Sequence, residues 1–142
     1  MSTKTYLAFD YGTVRIGVAV GNSLTETASP IQTVSNVNGS PDWLAIEQLI
    51  KQWQPDELVV GLPLTVEGED QAITPHVKGF IKALRKRFGL AISEADERFS
   101  SIAAQAELAK MRASGQRTKR VSKDDIDSMA ATLILQHWFT GN

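Results

Sequence analysis

The sequence predicts an α/β protein built on one mixed sheet of five strands, in the order 3-2-1-4-5, with helices on both faces. Three observations point there. Two strand-like segments near the N-terminus meet across a short turn and a third follows them. Helical and strand periodicities then alternate to the C-terminus. The 142 residues, 42% of them apolar, suit a single domain spanning 1–142 with one core.

Each element has its own signal. Tyr6 to Asp10 is short, apolar and closes on Asp-Tyr-Gly, a strand entering a turn. Arg15 to Gly21 resumes with Ile16, Val18 and Val20 on one face, which makes it the antiparallel partner. Thr27 to Ser35 is a third strand whose Pro30 belongs on an edge. A polar break from Asn36 to Asp42 precedes a helix marked by Trp43, Ile46, Ile50 and Trp53 and stopped by Pro55. Glu57 to Leu62 is continuously apolar after its first residue, as in a strand buried on both faces. Val77, Phe80, Ile81, Leu84 and Phe88 mark a second helix ended by Gly89, and Ala91 to Glu97 is the fifth strand. Ser100 or Ser101 caps a third helix through Ala113, and Ser122 to Phe139 forms a fourth.

Composition excludes several chemistries. No cysteine is present, so disulfides, thiolate metal sites and thiol nucleophiles are absent. That fits a reducing compartment, and the chain is expected to be cytoplasmic. Met1 to Thr5 carries no charged-then-apolar leader, and no apolar run reaches membrane-spanning length. Net charge is −1, so attraction to a polyanion must come from a local patch. Lys110, Arg112, Arg117, Lys119, Arg120 and Lys123 form such a patch, with no acid among them. Most basic runs are merely solvated surface; this one adjoins candidate catalytic acids.

Asp10 and Glu97 each close a strand, and the carboxyl ends of parallel strands share the edge where ligands bind in such sheets. Alone, Asp10 would pass for a turn aspartate and Glu97 for an acid preceding a helix. In the last helix Asp124 and Asp125 are accounted for by a capping box begun at Ser122. Asp127 lies a turn further in, on the stripe of Ala130, Ala131, Ile134 and Trp138, whereas Asp125 leads to Ser128, Thr132 and Gln136 on a polar side. A carboxylate on an apolar stripe requires a partner, and a metal ion would supply one. Three carboxylates without His or Cys suit magnesium or manganese rather than zinc. His76 and His137 sit apart from these acids and read as structural or surface residues.

Four segments, Phe9 to Ala19, Val59 to Leu64, Asp96 to Ser101 and Ile126 to Ala131, resemble the YqgF family, also called RuvX. The resemblance runs through nearly the whole chain. It implies an RNase H-like fold related to Holliday junction resolvases, and a nuclease that matures the 5′ end of pre-16S ribosomal RNA. The family's acidic positions fall on Asp10, Glu97 and Asp127. In one departure, Asp125 stands where the family tends to have Lys, with Lys123 further back.

The expected chemistry is phosphodiester hydrolysis with two magnesium or manganese ions, Asp10 bridging them and Glu97 and Asp127 completing one each. Backbone amides at Gly12 and Thr13 are phosphate-holding candidates. Arg15 and Arg98 are either phosphate contacts or partners of nearby acids, and Arg117, Lys119, Arg120 and Lys123 are nucleic-acid contacts. The loop from Gly61 through Gly68 is expected to border the cleft. Expected partners are nucleic acids, pre-rRNA first and branched DNA second, with no membrane, the chain being a monomer or weak homodimer. A Holliday junction resolvase and a non-catalytic nucleic-acid-binding module are the alternative readings. The Asp10-Tyr-Gly-Thr13 turn also resembles the phosphate loop of actin-like kinases, but those clamp ATP between two such domains and this length allows one.

Overall fold

The computed structural model describes residues 3–63, 67, 71–96 and 123–141. In chain order, β1 (Thr5–Asp10), β2 (Arg15–Asn22), β3 (Thr27–Val37) and β4 (Ser40–Pro41) precede α1 (Trp43–Trp53). Then come β5 (Glu57–Leu62), α2 (Thr74–Phe88), β6 (Ala91–Asp96) and α3 (Lys123–Gly141). The expected helix from residue 100 to 113 lies outside the described residues.

The sheet order is β4-β3-β2-β1-β5-β6. The five expected strands keep their expected order, with β1 antiparallel to β2 and parallel to β5, and β5 parallel to β6. Among the described residues the sheet has six strands, which corrects the expected five. Asn38 (φ 52°) and Gly39 (φ 75°) take successive left-handed conformations, the requirement of a tight hairpin turn. The chain therefore folds back, pairing Val37 with Ser40 and Asn36 with Pro41 where a plain polar break was expected. Pro30 sits where the β2–β3 register slips: Val18 faces Gln32 and Ala19 faces Pro30, leaving Ile31 as the extra residue. β4 pairs only with Asn36 and Val37, so at Pro30 the outer side of β3 is still a sheet edge, where a residue without an N–H is tolerated at a bulge.

Strand alternation divides the core by side-chain size. On one face Leu7, Phe9, Ile16, Val18, Leu58 and Val60 pack against α1 through Ile46 and Leu49, and against α2 through Val77, Phe80, Ile81 and Leu84. The Phe9 and Phe80 rings meet edge to face at 5.8 Å. The other face offers Ala8, Ala19, Val59 and Ala95 to Ala131, Ile134 and Leu135 of α3. Small residues on that side let the helix backbone approach the sheet. At Gly17 the approach reaches its limit, since a Cβ there would lie 2.0 Å from the carbonyl oxygen of Asp127. At Gly21 it would lie 2.8 Å from Leu135 Cδ2 and 3.1 Å from a ring carbon of Phe139.

Because α3 is pressed so closely, its expected polar side is not uniformly solvated. Thr132 is 4% exposed, and its hydroxyl donates to the Ser128 carbonyl at 2.8 Å, which satisfies it within the helix. Among the described residues, no helix is long and apolar enough to cross a membrane.

The Gly17 contact yields a stability prediction. Gly17→Ala places a methyl against backbone that has no rotamer to yield, so the helix must move. Overpacking of this kind costs about 1–3 kcal/mol, lowering Tm by about 3–10 °C for a chain of this size. Calorimetry should show that drop, and an unchanged Tm would mean that α3 is not held against Gly17.

Candidate active site

The site is assembled around Gly17. Asp10, the last residue of β1, is the cross-strand partner of Gly17 in β2. Alternation puts Asp10 on the side of Ala8, the face that α3 covers. The Asp127 backbone rests directly over Gly17 from above the sheet. Two acids separated by 116 positions, 127 less 10 with the endpoints excluded, thus border one glycine. Any side chain at position 17 would hold them apart.

Arg15, two residues before Gly17 on the same strand face, completes the group. Its Nε lies 2.9 Å from Asp127 Oδ2, and the two side chains are only 23% and 31% exposed. The stripe that carries Asp127 is apolar as expected, with Ala130, Ala131 and Ile134 each at 1% exposure or less. The partner that this carboxylate requires is Arg15 in this structure, which fulfils the acid-pairing alternative for that arginine.

The turn between β1 and β2 is fixed from two directions. A Cβ on Gly12 would lie 2.4 Å from the Arg15 carbonyl oxygen, so the turn closes only with glycine there. Asn36 of β3, 2% exposed, donates from Nδ2 to the Gly12 carbonyl at 2.6 Å, and its backbone N–H donates to the Val14 carbonyl at 2.9 Å. These bonds hold Gly12 and Thr13, the expected phosphate-holding pair, against the sheet's edge, with Thr13 exposed. Sequence reasoning missed Asn36, because a lone Asn in a polar break gives no sign that it reaches back 24 residues.

The parallel strands β1, β5 and β6 finish at one edge, at Asp10, Leu62 and Asp96. Glu97 follows Asp96 directly but lies outside the described residues, as do Arg98, Arg117, Lys119 and Arg120. Lys123 opens α3. Of the loop expected to border the cleft, Pro63 is tied to α2 by the Thr74 hydroxyl, which donates to its carbonyl at 2.7 Å. His76 and His137 are exposed. Among the described residues, no three acids or histidines converge on one point.

The residues present fit a divalent cation in kind. Asp10 and Asp127 supply hard oxygen donors of the sort that magnesium and manganese take. The Arg15 guanidinium already compensates one of these carboxylates, so a cation bound there would share Asp127 with it.

Known proteins resemble the chain in both sequence and fold. A family model described as "RuvX: Holliday junction resolvase" matches residues 4–141. A protein of Photobacterium profundum is 45% identical over 139 residues, covering 97% of this chain and 95% of its own. One from Pectobacterium carotovorum subsp. carotovorum is 42% identical over 139 residues, covering 98% and 97%. Both carry the provisional name of pre-16S rRNA nuclease. Among solved structures, Thermus thermophilus RuvC in complex with a Holliday junction substrate superposes with a TM-score of 0.59 at 14% identity, over 97% of this chain and 94% of that one. The fowlpox virus Holliday junction resolvase gives 0.53 at 12% identity, over 96% and 97%. At such identities these two share the fold, and they bear out the expected α/β class.

The Arg15–Asp127 pair can be measured directly. A double-mutant cycle with Arg15→Gln and Asp127→Asn, read by urea unfolding, should give a coupling of about 1 kcal/mol, the upper end for a partly exposed pair. A coupling near zero would show that the pair does not hold the helix terminus.

Proposed function

The chain belongs to the RuvX family, and on that premise we propose that its cleavage centre comprises Asp10, Asp127 and Glu97. The protein is a nuclease that hydrolyses phosphodiester bonds. The observation that supports the site is that Asp10 is the cross-strand partner of Gly17, over which the Asp127 backbone lies, near the edge where β1, β5 and β6 end. Glu97 joins them as the residue that follows the last position of β6.

A divalent cation of the magnesium type, held by these three acids, would polarise the phosphate and lower the pKa of an attacking water. The backbone of Asp10 is fixed by the β1–β2 ladder and that of Asp127 by the docking of α3, with the Asp127 carboxylate held by Arg15, so the main chain need not rearrange when substrate arrives. Arg15 orients Asp127, and in this reading it also lies beside the phosphate. Gly12 and Thr13, tied down by Asn36, offer backbone donors to the same phosphate. Arg98, Arg117, Lys119, Arg120 and Lys123 add charge along the bound strand, as affinity rather than chemistry.

The substrate favoured by the names of the similar proteins is precursor 16S rRNA, and the step we assign to this chain is maturation of its 5′ end. The second reading is a four-way DNA junction, favoured by the description of the matching family.

Purified protein should cleave an RNA spanning the immature 5′ end in magnesium and not in EDTA. Asp10→Asn, Asp127→Asn and Glu97→Gln should each reduce cleavage by at least about a hundredfold, since losing a ligand costs no less than losing a group that merely orients one. Asp124→Asn should leave it within about twofold, as befits a first-turn acid. Preferential cleavage of a four-way junction over the RNA would select the second reading. Full activity in Asp127→Asn would remove that residue from the centre.

A further inference from the structure

On the sheet face opposite Asp10, the outer side of α2 carries a feature that the cleavage centre does not use. From Thr74 to Phe88 the helix has Lys78, Lys82, Arg85, Lys86 and Arg87, all exposed, and no acid. The whole chain has net charge −1, so this helix is a local concentration of positive charge. Beside it lies a cavity of about 550 Å³, bounded by the β3–β4 hairpin, the start of α1 and α2. That volume falls in the usual range for small-molecule sites, about 300–1,000 Å³.

The cavity walls have a definite chemistry. Tyr11, Trp43 and Phe80 supply aromatic surface, with the Trp43 and Phe80 rings stacked at 5.7 Å and 28°. Arg87 covers the Trp43 ring, its guanidinium carbon 4.3 Å from the centroid. At an exposed site such a cation–π contact is weaker than a nucleobase stacked on an aromatic ring, so a base can displace it and leave the guanidinium for a phosphate. The helix opens the space from its own side. Gly79 lines the cavity in the middle of α2, where glycine is a poor helix former, yet a Cβ there would meet nothing within 4 Å. Packing does not demand a glycine at this position.

We propose that this cavity receives a nucleobase of the single-stranded nucleic acid whose backbone runs along the cationic side of α2. Tyr11 follows Asp10 in the chain and packs on the opposite face of the sheet, so a strand passing over the sheet's edge at the end of β1 would run from the cleavage centre to the cavity. The inference rests on the nuclease reading above and adds where the uncut part of the strand is held.

The test compares a six-nucleotide uridine RNA with the same chain made abasic throughout, binding being followed by anisotropy in EDTA at fixed low salt. Removing bases keeps every phosphate. Wild type should bind the uridine chain about 5- to 150-fold more tightly, the worth of one stacked base. Gly79→Leu, which adds a side chain to the cavity wall formed by α2, should narrow that difference while leaving Tm at or above the wild-type value. Equal affinities in wild type, or a Gly79→Leu protein that keeps the full difference, would overturn the proposal. Cleavage plays no part in the measurement, so a failure here leaves the assignment of Asp10 and Asp127 to be judged by their own variants.

Discussion

The structure depends on how closely α3 lies against the sheet at Gly17. Helix-to-sheet packing ordinarily has side chains between the two backbones. Here the Asp127 carbonyl would be 2.0 Å from a Cβ at position 17, so backbone meets backbone. That contact sets the height of α3, which sets where the Asp127 carboxylate lies relative to Asp10. The division of the core follows from it. Branched and aromatic side chains fill the face under α1 and α2, while Ala8, Ala19 and Ala95 leave the α3 face thin.

Arg15 ties this packing to electrostatics. A carboxylate on an apolar stripe needs compensation, and the guanidinium at 2.9 Å supplies it with protein alone. Neutralising Asp127 therefore removes a favourable pair, unlike the relief expected where like charges are merely crowded together. In the proposed reaction the same arginine would hold the acid in register and lie beside the phosphate. The opposite face of the sheet has a separate character, an aromatic cavity under a helix of five cations. One layer of strands thus separates the proposed chemistry from the proposed grip on the strand.

Much of this was legible in the sequence. Periodicity located α1 at its observed ends, and the five main strands in their order, because apolar alternation and helix-stop residues act locally. Asp10 could be singled out as an acid that closes a strand, and Asp127 as an acid on an apolar stripe. One feature required the third dimension: Asn36 acts through a contact across 24 residues. Three omissions were avoidable. Asn38-Gly39 is the dipeptide that tight hairpins favour, and it marks the turn into β4. Gly17, Ala19 and Gly21 alternate with Ile16, Val18 and Val20, which already marks one side of β2 as a bed for close packing. A count of charges from Thr74 to Phe88 would likewise have exposed the basic helix. Glu97 and the basic run from Lys110 lie outside the described residues, so their roles rest on position in the sequence.

The central claim is that docking of α3 on Gly17 makes Asp10 and Asp127 one cation-holding pair. Crystals grown with manganese test it most directly, through the anomalous difference density of the ion. The account predicts a peak ligated by both Asp10 and Asp127, lost in Asp10→Asn crystals of the same form. Manganese bound elsewhere, or bound by one of these carboxylates without the other, would contradict it.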